Sequence, residues 1–367
     1  MNGAKTEKGI SIDLIDTPCL IVDMDLVDKN LQKLFSRFRE IGVKVRPHLK
    51  TVKSPEFAKL LLKAGASGVC VAKVSEAEVM ADAGIEDILI TTEMIGQPKL
   101  ERLEKLIKAH PQIKVVIDSF AGAQAMEETA SRAGVTIKVL IEMNVGQNRA
   151  GVEAGQPALK LANEISRCAH LQLIGVQGYE GHLQLLTSEH ERKELCAGAM
   201  EKLMSTVLLL RQNGHEIEVI TTGGTGTAEY CASAGANEVQ PGSFVFMDGA
   251  YRRAIGTKYE NALSLVATVI SKPNENRCVI DAGFKSLSTD SGNAELKSHS
   301  TLTYRPAGDE HGIIESTESS LGLNIGDRVE LIPSHIDTTV NLHDYYYCHR
   351  QGKIESVWKL SARGKVQ

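Results

Sequence analysis

Eight short runs of β-branched and aliphatic residues alternate with segments of helical period between residues 43 and 247, and few architectures can absorb that rhythm. The runs are Val43–Arg46, Gly68–Ala72, Asp87–Thr91, Lys114–Asp118, Ile137–Met143, Leu171–Tyr179, Glu218–Thr222 and Glu238–Phe246. Helical period fills 54–64, 75–83, 98–109, 120–133, 155–167, 187–213 and 225–234. Glycine stops such as Ala64-Gly65 and Ala83-Gly84 close two of these helices. The runs are apolar throughout rather than alternating, which marks strands covered on both faces, as in parallel sheets. An α/β fold follows, with a TIM (β/α)8 barrel over residues 20–250 and an open doubly wound sheet as the alternative.

Beyond residue 255 the texture changes. Leu263–Ile270, Arg277–Asp281, Arg328–Pro333 and Ile354–Leu360 are separated by turn-rich segments with almost no helical period. That predicts a mostly β domain over 255–367, with residues 1–19 joining it. A chain of 367 residues is too long for one ordinary core, so two domains suit it. Its formal net charge of −5 points away from nucleic acid and anionic membranes as partners. The polar N-terminus, the absence of a membrane-length apolar stretch and seven scattered cysteines without a CxxC pair predict a cytoplasmic protein with reduced thiols.

Candidate functional residues cluster at the C-terminal ends of the predicted barrel strands, where such barrels keep their chemistry. Lys50, in Val45-Arg46-Pro47-His48-Leu49-Lys50-Thr51, follows the first run. Lysine forms Schiff bases with pyridoxal phosphate and with carbonyl substrates. The seventh run enters Thr221-Thr222-Gly223-Gly224-Thr225-Gly226-Thr227, and the eighth contains Gln240-Pro241-Gly242-Ser243. Two glycine-bearing loops in those two places predict a phosphate site. The fifth run leads to Arg149, and the sixth to Gly178-Tyr179-Glu180-Gly181-His182. In the β domain, His335 and Asp337 follow a strand and would share one face if that segment is extended. Imidazole plus carboxylate suits Mn²⁺, Co²⁺, Mg²⁺ or Zn²⁺. Asp309, Glu310 and His311 are the nearest further ligands in sequence, whereas His343 and His349 read as structural or surface groups.

These motifs occur in a recognisable order. RPHLKT, NVGQNRAGV, GYEGH, TTGGTGT, QPGSFVFMD, DAGFKSLSTD, DEHG and PSHIDTTVNLHD together resemble the D-threonine aldolases and eukaryotic-type D-serine dehydratases. These are fold-type III, alanine-racemase-like pyridoxal 5′-phosphate enzymes, and the resemblance spans about Thr17 to Arg350. It implies a homodimer of barrel and β domain in which Lys50 holds the cofactor covalently. Arg149 would contact the phenolic oxygen and Tyr179 would line the ring. Thr222, Gly223, Gly224, Thr225, Gly242 and Ser243 would hold the phosphate. His335 and Asp337 resemble the divalent-metal pair, with Asp309 a water-mediated partner. The chain departs from the pattern at Val52, where a histidine is frequent. It departs again at Gln240, where racemases carry an arginine near the pyridine nitrogen.

Three reactions compete on such a scaffold: retro-aldol cleavage, dehydration and racemisation. A metal serves the first two by binding the β-hydroxyl of a β-hydroxy D-amino acid. In the resembled family a His-x-Cys pair accompanies dehydratases and a His-x-Asp pair accompanies aldolases. Asp337 therefore points to a metal-assisted D-threonine aldolase, with Mn²⁺ favoured, Lys50 moving the Cα proton and His182 a candidate base. A dehydratase of D-serine or 3-hydroxy-D-aspartate is the alternative, ahead of a racemase or a non-catalytic cofactor carrier.

Overall fold

The computed structural model describes residues 8–316 and 320–367. Residues 1–7 of the segment expected to join the β domain, and 317–319 within that domain, lie outside the described residues. The chain divides into two compact units. One comprises Leu34–Lys50, Pro55–Gly242 and Lys365–Gln367; the other comprises residues up to Lys33, Thr51–Ser54 and Ser243–Gly364.

The first unit is a parallel barrel. Its strands lie in the spatial order Lys44–Val45, Glu238–Val239, Val219–Thr222, Leu171–Gln177, Ile137–Asn144, Lys114–Ile117, Ile88–Ile90 and Val69–Val71. The ring closes where Leu49 N–H donates to the Cys70 carbonyl at 2.8 Å and Cys70 N–H to the Pro47 carbonyl at 2.9 Å. The helices Pro55–Ala64, Val74–Asp82, Gln97–Ala109, Phe120–Ala133, Gln156–Ile165, Glu189–Gln212 and Ala228–Ser233 match the predicted ones within a few residues. The eighth run is shorter than the expected Glu238–Phe246. It stops at Val239, because Pro241 brings no N–H to a ladder and the chain turns into the 3-10 helix Ser243–Val245.

Alternation along the strands sorts the barrel interior into layers. Cys70, Leu89, Val116, Leu140 and Ile174 pack into one buried apolar cluster. Two residues further along their strands stand Thr91, Asp118 and Glu142, so the layer toward the C-terminal ends is polar. At the opposite rim the buried Arg46 guanidinium pairs with Asp87 at 2.5 Å and Glu238 at 2.9 Å, while Lys114 shares Asp87 at 2.5 Å.

The second unit is a mixed sheet in the order Leu302–Pro306, Gly312–Ser316, Arg277–Ile280, Leu263–Asn274, Cys19–Asp23, Tyr345–Arg350 and Lys353–Lys359. Arg328–Ile332 also pairs with Leu263–Asn274, and Glu295–Leu296 pairs with Arg328–Ile332. Cys19–Asp23 enters the sheet between a parallel and an antiparallel neighbour, which ties the N-terminal segment to this unit. The helices Met24–Glu40, Gly249–Ile255 and Ile336–Val340 have no counterpart among the predicted elements.

Candidate active site

Lys50 is half-buried in the turn that follows the first barrel strand. Its own motif fixes that turn. Lys50 N–H donates to His48 Nδ1 at 3.3 Å, and His48 Nε2 meets Thr91 Oγ1 at 3.0 Å. The Thr91 hydroxyl donates to the Val71 carbonyl at 3.1 Å, so it accepts from His48, and the ring is the Nε2–H tautomer.

The loop after Val219–Thr222 is organised by Glu180, a buried carboxylate that the sequence reading passed over. It accepts from Thr222 Oγ1 at 2.7 Å, Gly223 N–H at 3.3 Å, Gln184 Nε2 at 3.0 Å and, in a short bond, Thr227 Oγ1. Gln184 Oε1 accepts Gly226 N–H at 3.0 Å, and Thr227 Oγ1 accepts Gly224 N–H at 3.1 Å. Gly223 has φ +79°, a left-handed conformation that glycine adopts at least cost. The Gly223 carbonyl accepts Gln240 N–H at 2.9 Å, joining this loop to the one after Glu238–Val239. Gly223, Gly224 and Gly226 thus spend their N–H groups on the scaffold. Thr225 and Gly242, with Ser243 following in the chain, are the residues whose groups suit an anion.

Arg149, Tyr179 and His182 are brought together by two loops. The Arg149 guanidinium lies 5.8 Å from the Tyr179 ring centroid, a cation–π distance. The His182 ring packs on Gly146, where an added Cβ would stand 3.3 Å from it. Beside them runs a buried polar chain. Gln240 Nε2 donates to Gln177 Oε1 at 2.8 Å and Thr221 Oγ1 at 2.9 Å, and Gln177 Nε2 donates to Glu142 Oε2 at 2.5 Å. Burial pushes the Glu142 carboxyl up to about 8, with Gln177 and Arg149 opposing that rise and Glu93 and Asp118 adding to it.

The metal pair belongs to the second unit, and its backbone differs from expectation. His335 is extended, but it caps the helix Ile336–Val340, so Asp337 stands in a helical first turn rather than on a strand face. The cause is Asp248, whose Oδ2 accepts Ile336 N–H at 3.1 Å and whose Oδ1 accepts Tyr251 N–H at 2.8 Å. One fully buried carboxyl thereby caps two helices, and burial pushes it up to about 6. His335 Nδ1 lies 2.6 Å from Asp290 Oδ2, and Asp290 Oδ1 accepts from Ser288 at 2.6 Å and Thr338 at 2.8 Å. Burial would raise the Asp290 carboxyl, but the bonds from Ser288, His335 and Thr338 outweigh it and hold it down at about 2.

An anionic Asp290 accepts the Nδ1–H of His335 and leaves Nε2 as the nitrogen available to a metal. The donors therefore fit a divalent ion, although no group of three His, Cys, Asp or Glu able to hold one occurs among the described residues. Asp309 sits in the turn before Gly312–Ser316, where its carbonyl accepts Lys285 N–H at 3.0 Å. Among the described residues the carboxylate hydrogen-bonded to His335 is Asp290, not Asp309. Glu180, Asp248 and Asp290 lie inside GYEGH, QPGSFVFMD and DAGFKSLSTD, so the signal for them was in the motifs already singled out.

The family model described as alanine racemase, N-terminal domain, matches residues 22–249, and a serine dehydratase domain model matches 262–349. The chain is 37% identical over 362 residues to a D-threonine aldolase of Arthrobacter sp, covering 98% of this chain and 95% of that protein. It is 35% identical over 367 residues to a 3-hydroxy-D-aspartate aldolase of Paracoccus denitrificans, covering 97% and 94%. A crystal structure of D-threonine aldolase from Filomicrobium marinum matches with a TM-score of 0.96 at 37% identity, covering 99% of this chain and all of that one. No helix among the described residues is long and apolar enough to cross a membrane.

Proposed function

This chain belongs to the alanine-racemase-like family of pyridoxal-phosphate enzymes that includes the D-threonine aldolases, and from that premise we propose that it cleaves a D-threonine-like β-hydroxy D-amino acid to glycine and an aldehyde. It is a carbon–carbon lyase. The observation that carries the proposal is the pair His335 and Asp337, with a carboxylate and not a thiolate as the second ligand.

When bound, pyridoxal phosphate supplies an electron sink at Cα, and a divalent ion supplies a Lewis acid for the β-hydroxyl. Lys50 attaches the cofactor and moves the proton at Cα. Arg149 and Tyr179 hold the ring side, with Gln240 at its nitrogen. Thr225, Gly242 and Ser243 hold the phosphate end, and Thr222, Gly223 and Gly224 shape that loop through their bonds to Glu180 and Thr227. His335 and Asp337 hold the ion, Mn²⁺ by preference and Mg²⁺, Co²⁺ or Zn²⁺ otherwise, with Asp309 acting through water. His182 takes the hydroxyl proton. The enzyme works as a homodimer.

Product analysis tests the reading. Metal-stripped, cofactor-loaded protein is given D-threonine or D-serine, with Mn²⁺ or Zn²⁺ restored. Glycine and acetaldehyde from D-threonine support the aldolase. A 2-oxo acid and ammonia would replace it with elimination.

A further inference from the structure

The polar chain in the barrel does more than fill space, because each of its members constrains the next. Glu142, Gln177 and Thr221 stand side by side: Glu142 is in register with Gln177, and Gln177 with Thr221. Gln240 closes the row from the neighbouring strand end. All are buried, and an amide can satisfy such a row in only two polarities. The ionised Glu142 carboxylate settles which one, because it has no hydrogen to donate. Its Oε2 accepts from Gln177 Nε2, so Gln177 must turn Oε1 toward Gln240. Gln240 then spends both hydrogens of its amide on Gln177 and Thr221. Its remaining polar atom is the carbonyl oxygen, which accepts no hydrogen bond from the described residues and can only accept.

We propose that Glu142, acting through Gln177, is a positioning residue that makes Gln240 an acceptor-only partner for the ring nitrogen of the cofactor and so selects the protonated ring. The inference rests on the assignment of Gln240 to the cofactor ring made above. An N–H at the ring nitrogen meets the Gln240 oxygen favourably, whereas a bare nitrogen would face it lone pair to lone pair. The groups that act on the Glu142 carboxyl are Glu93, Asp118 and Arg149, together with Gln177. Burial pushes the Glu142 carboxyl up to about 8, so the carboxylate that can only accept from Gln177 is fully present above that pH.

The test reads ring protonation directly, by ¹⁵N resonance of cofactor labelled at the ring nitrogen in the loaded holoenzyme, at a pH above the Glu142 value of about 8. Wild type gives the protonated position. Glu142→Met fills the space but offers no acceptor, so Gln177 turns its amide hydrogens toward Gln240 and reverses the row. The ring's proton affinity then falls roughly tenfold or more, the value of one charge-assisted hydrogen bond. Gln240→Glu accepts without the relay, so adding it to Glu142→Met restores the protonated position, a rescue that a merely structural defect would not show. Gln177→Met reproduces the loss should Glu142→Met fail to fold. An unchanged resonance in Glu142→Met and Gln177→Met overturns the proposal while leaving the cofactor assignment standing. A wild-type protein that takes up no cofactor on loading overturns both.

Discussion

His335 has two ring nitrogens, and Asp290 decides which one is left over. A carboxylate held at about 2 stays ionised at any working pH, so Nδ1–H is pinned to Asp290 and Nε2 is the nitrogen turned to a metal. Removing such an outer partner typically weakens metal binding about 10–100-fold without touching the ligand itself. Asp290→Asn is therefore expected to raise the Mn²⁺ concentration for half-activation by that order, with maximal turnover at saturating metal largely kept. A titration of activity against Mn²⁺ in the variant checks this, and an unshifted curve would detach Asp290 from the metal. Lys50 carries a separate expectation: Lys50→Ala removes the visible absorbance of lysine-bound cofactor. A retained band would send the attachment elsewhere. Both residues were visible in the sequence, but in different ways. Lys50 stood out by chemistry and place. Asp290 closed a quoted motif and said nothing, because its partner lies 45 positions away and only the fold brings them within 2.6 Å.

The elements divide along the same line between local and non-local cause. Helices with a clear stop, such as Phe120–Ala133 ending at Gly134 with φ +70°, were legible because the signal lies in consecutive residues. Met24–Glu40 went unread, and Ile336–Val340 is held by a carboxylate 88 residues upstream of Ile336, which no local pattern encodes. The barrel's opposite rim poses the same problem in charge. Lys44–Val45 and Glu238–Val239 are adjacent two-residue strands, and the Arg46–Glu238 pair sits buried beside them. Removing Glu238 leaves the buried Arg46 guanidinium with Asp87 alone, and the cost of fully stranding a buried charge, about 3–5 kcal/mol, is the upper bound. Glu238→Ala should lower the urea midpoint, and a loss under 1 kcal/mol, roughly that of a surface pair, would show that Asp87 alone satisfies Arg46. Burial would raise the neighbouring Asp87 carboxyl, but Arg46 and Lys114 outweigh it and hold it below its ordinary value. A depressed carboxyl stabilises the fold above its unfolded pKa and loses that contribution on protonation. Barrel stability should therefore decline as pH drops below about 4, a loss readable in acid urea melts.

At the scale of the whole molecule, the proposed chemistry draws on two sets of hydrogen bonds, one described within each unit. The cited bonds of Lys50, the Arg149–Tyr179 contact, the Glu180-centred loop and the Gln240 row lie within the barrel unit. Those of His335, Asp290 and Asp248 lie within the other unit. The ordered motifs named candidates in both units because each motif is short and self-contained. The motifs contained Glu180 and Asp248 but not their roles, and Glu142 lies outside them, since all three act by closing networks across strands and loops. This separation has a measurable consequence. If cofactor and metal are held by separate networks, chelation should abolish turnover while leaving the visible cofactor band in place, and Asp337→Ala should do the same with metal present. Restoring Mn²⁺ should recover the chelated wild type and not the variant. Full turnover surviving both treatments would remove the metal from the reaction. A cofactor band that vanished with the metal would show instead that the second unit's ion supports the barrel's own site, so that the two networks are coupled.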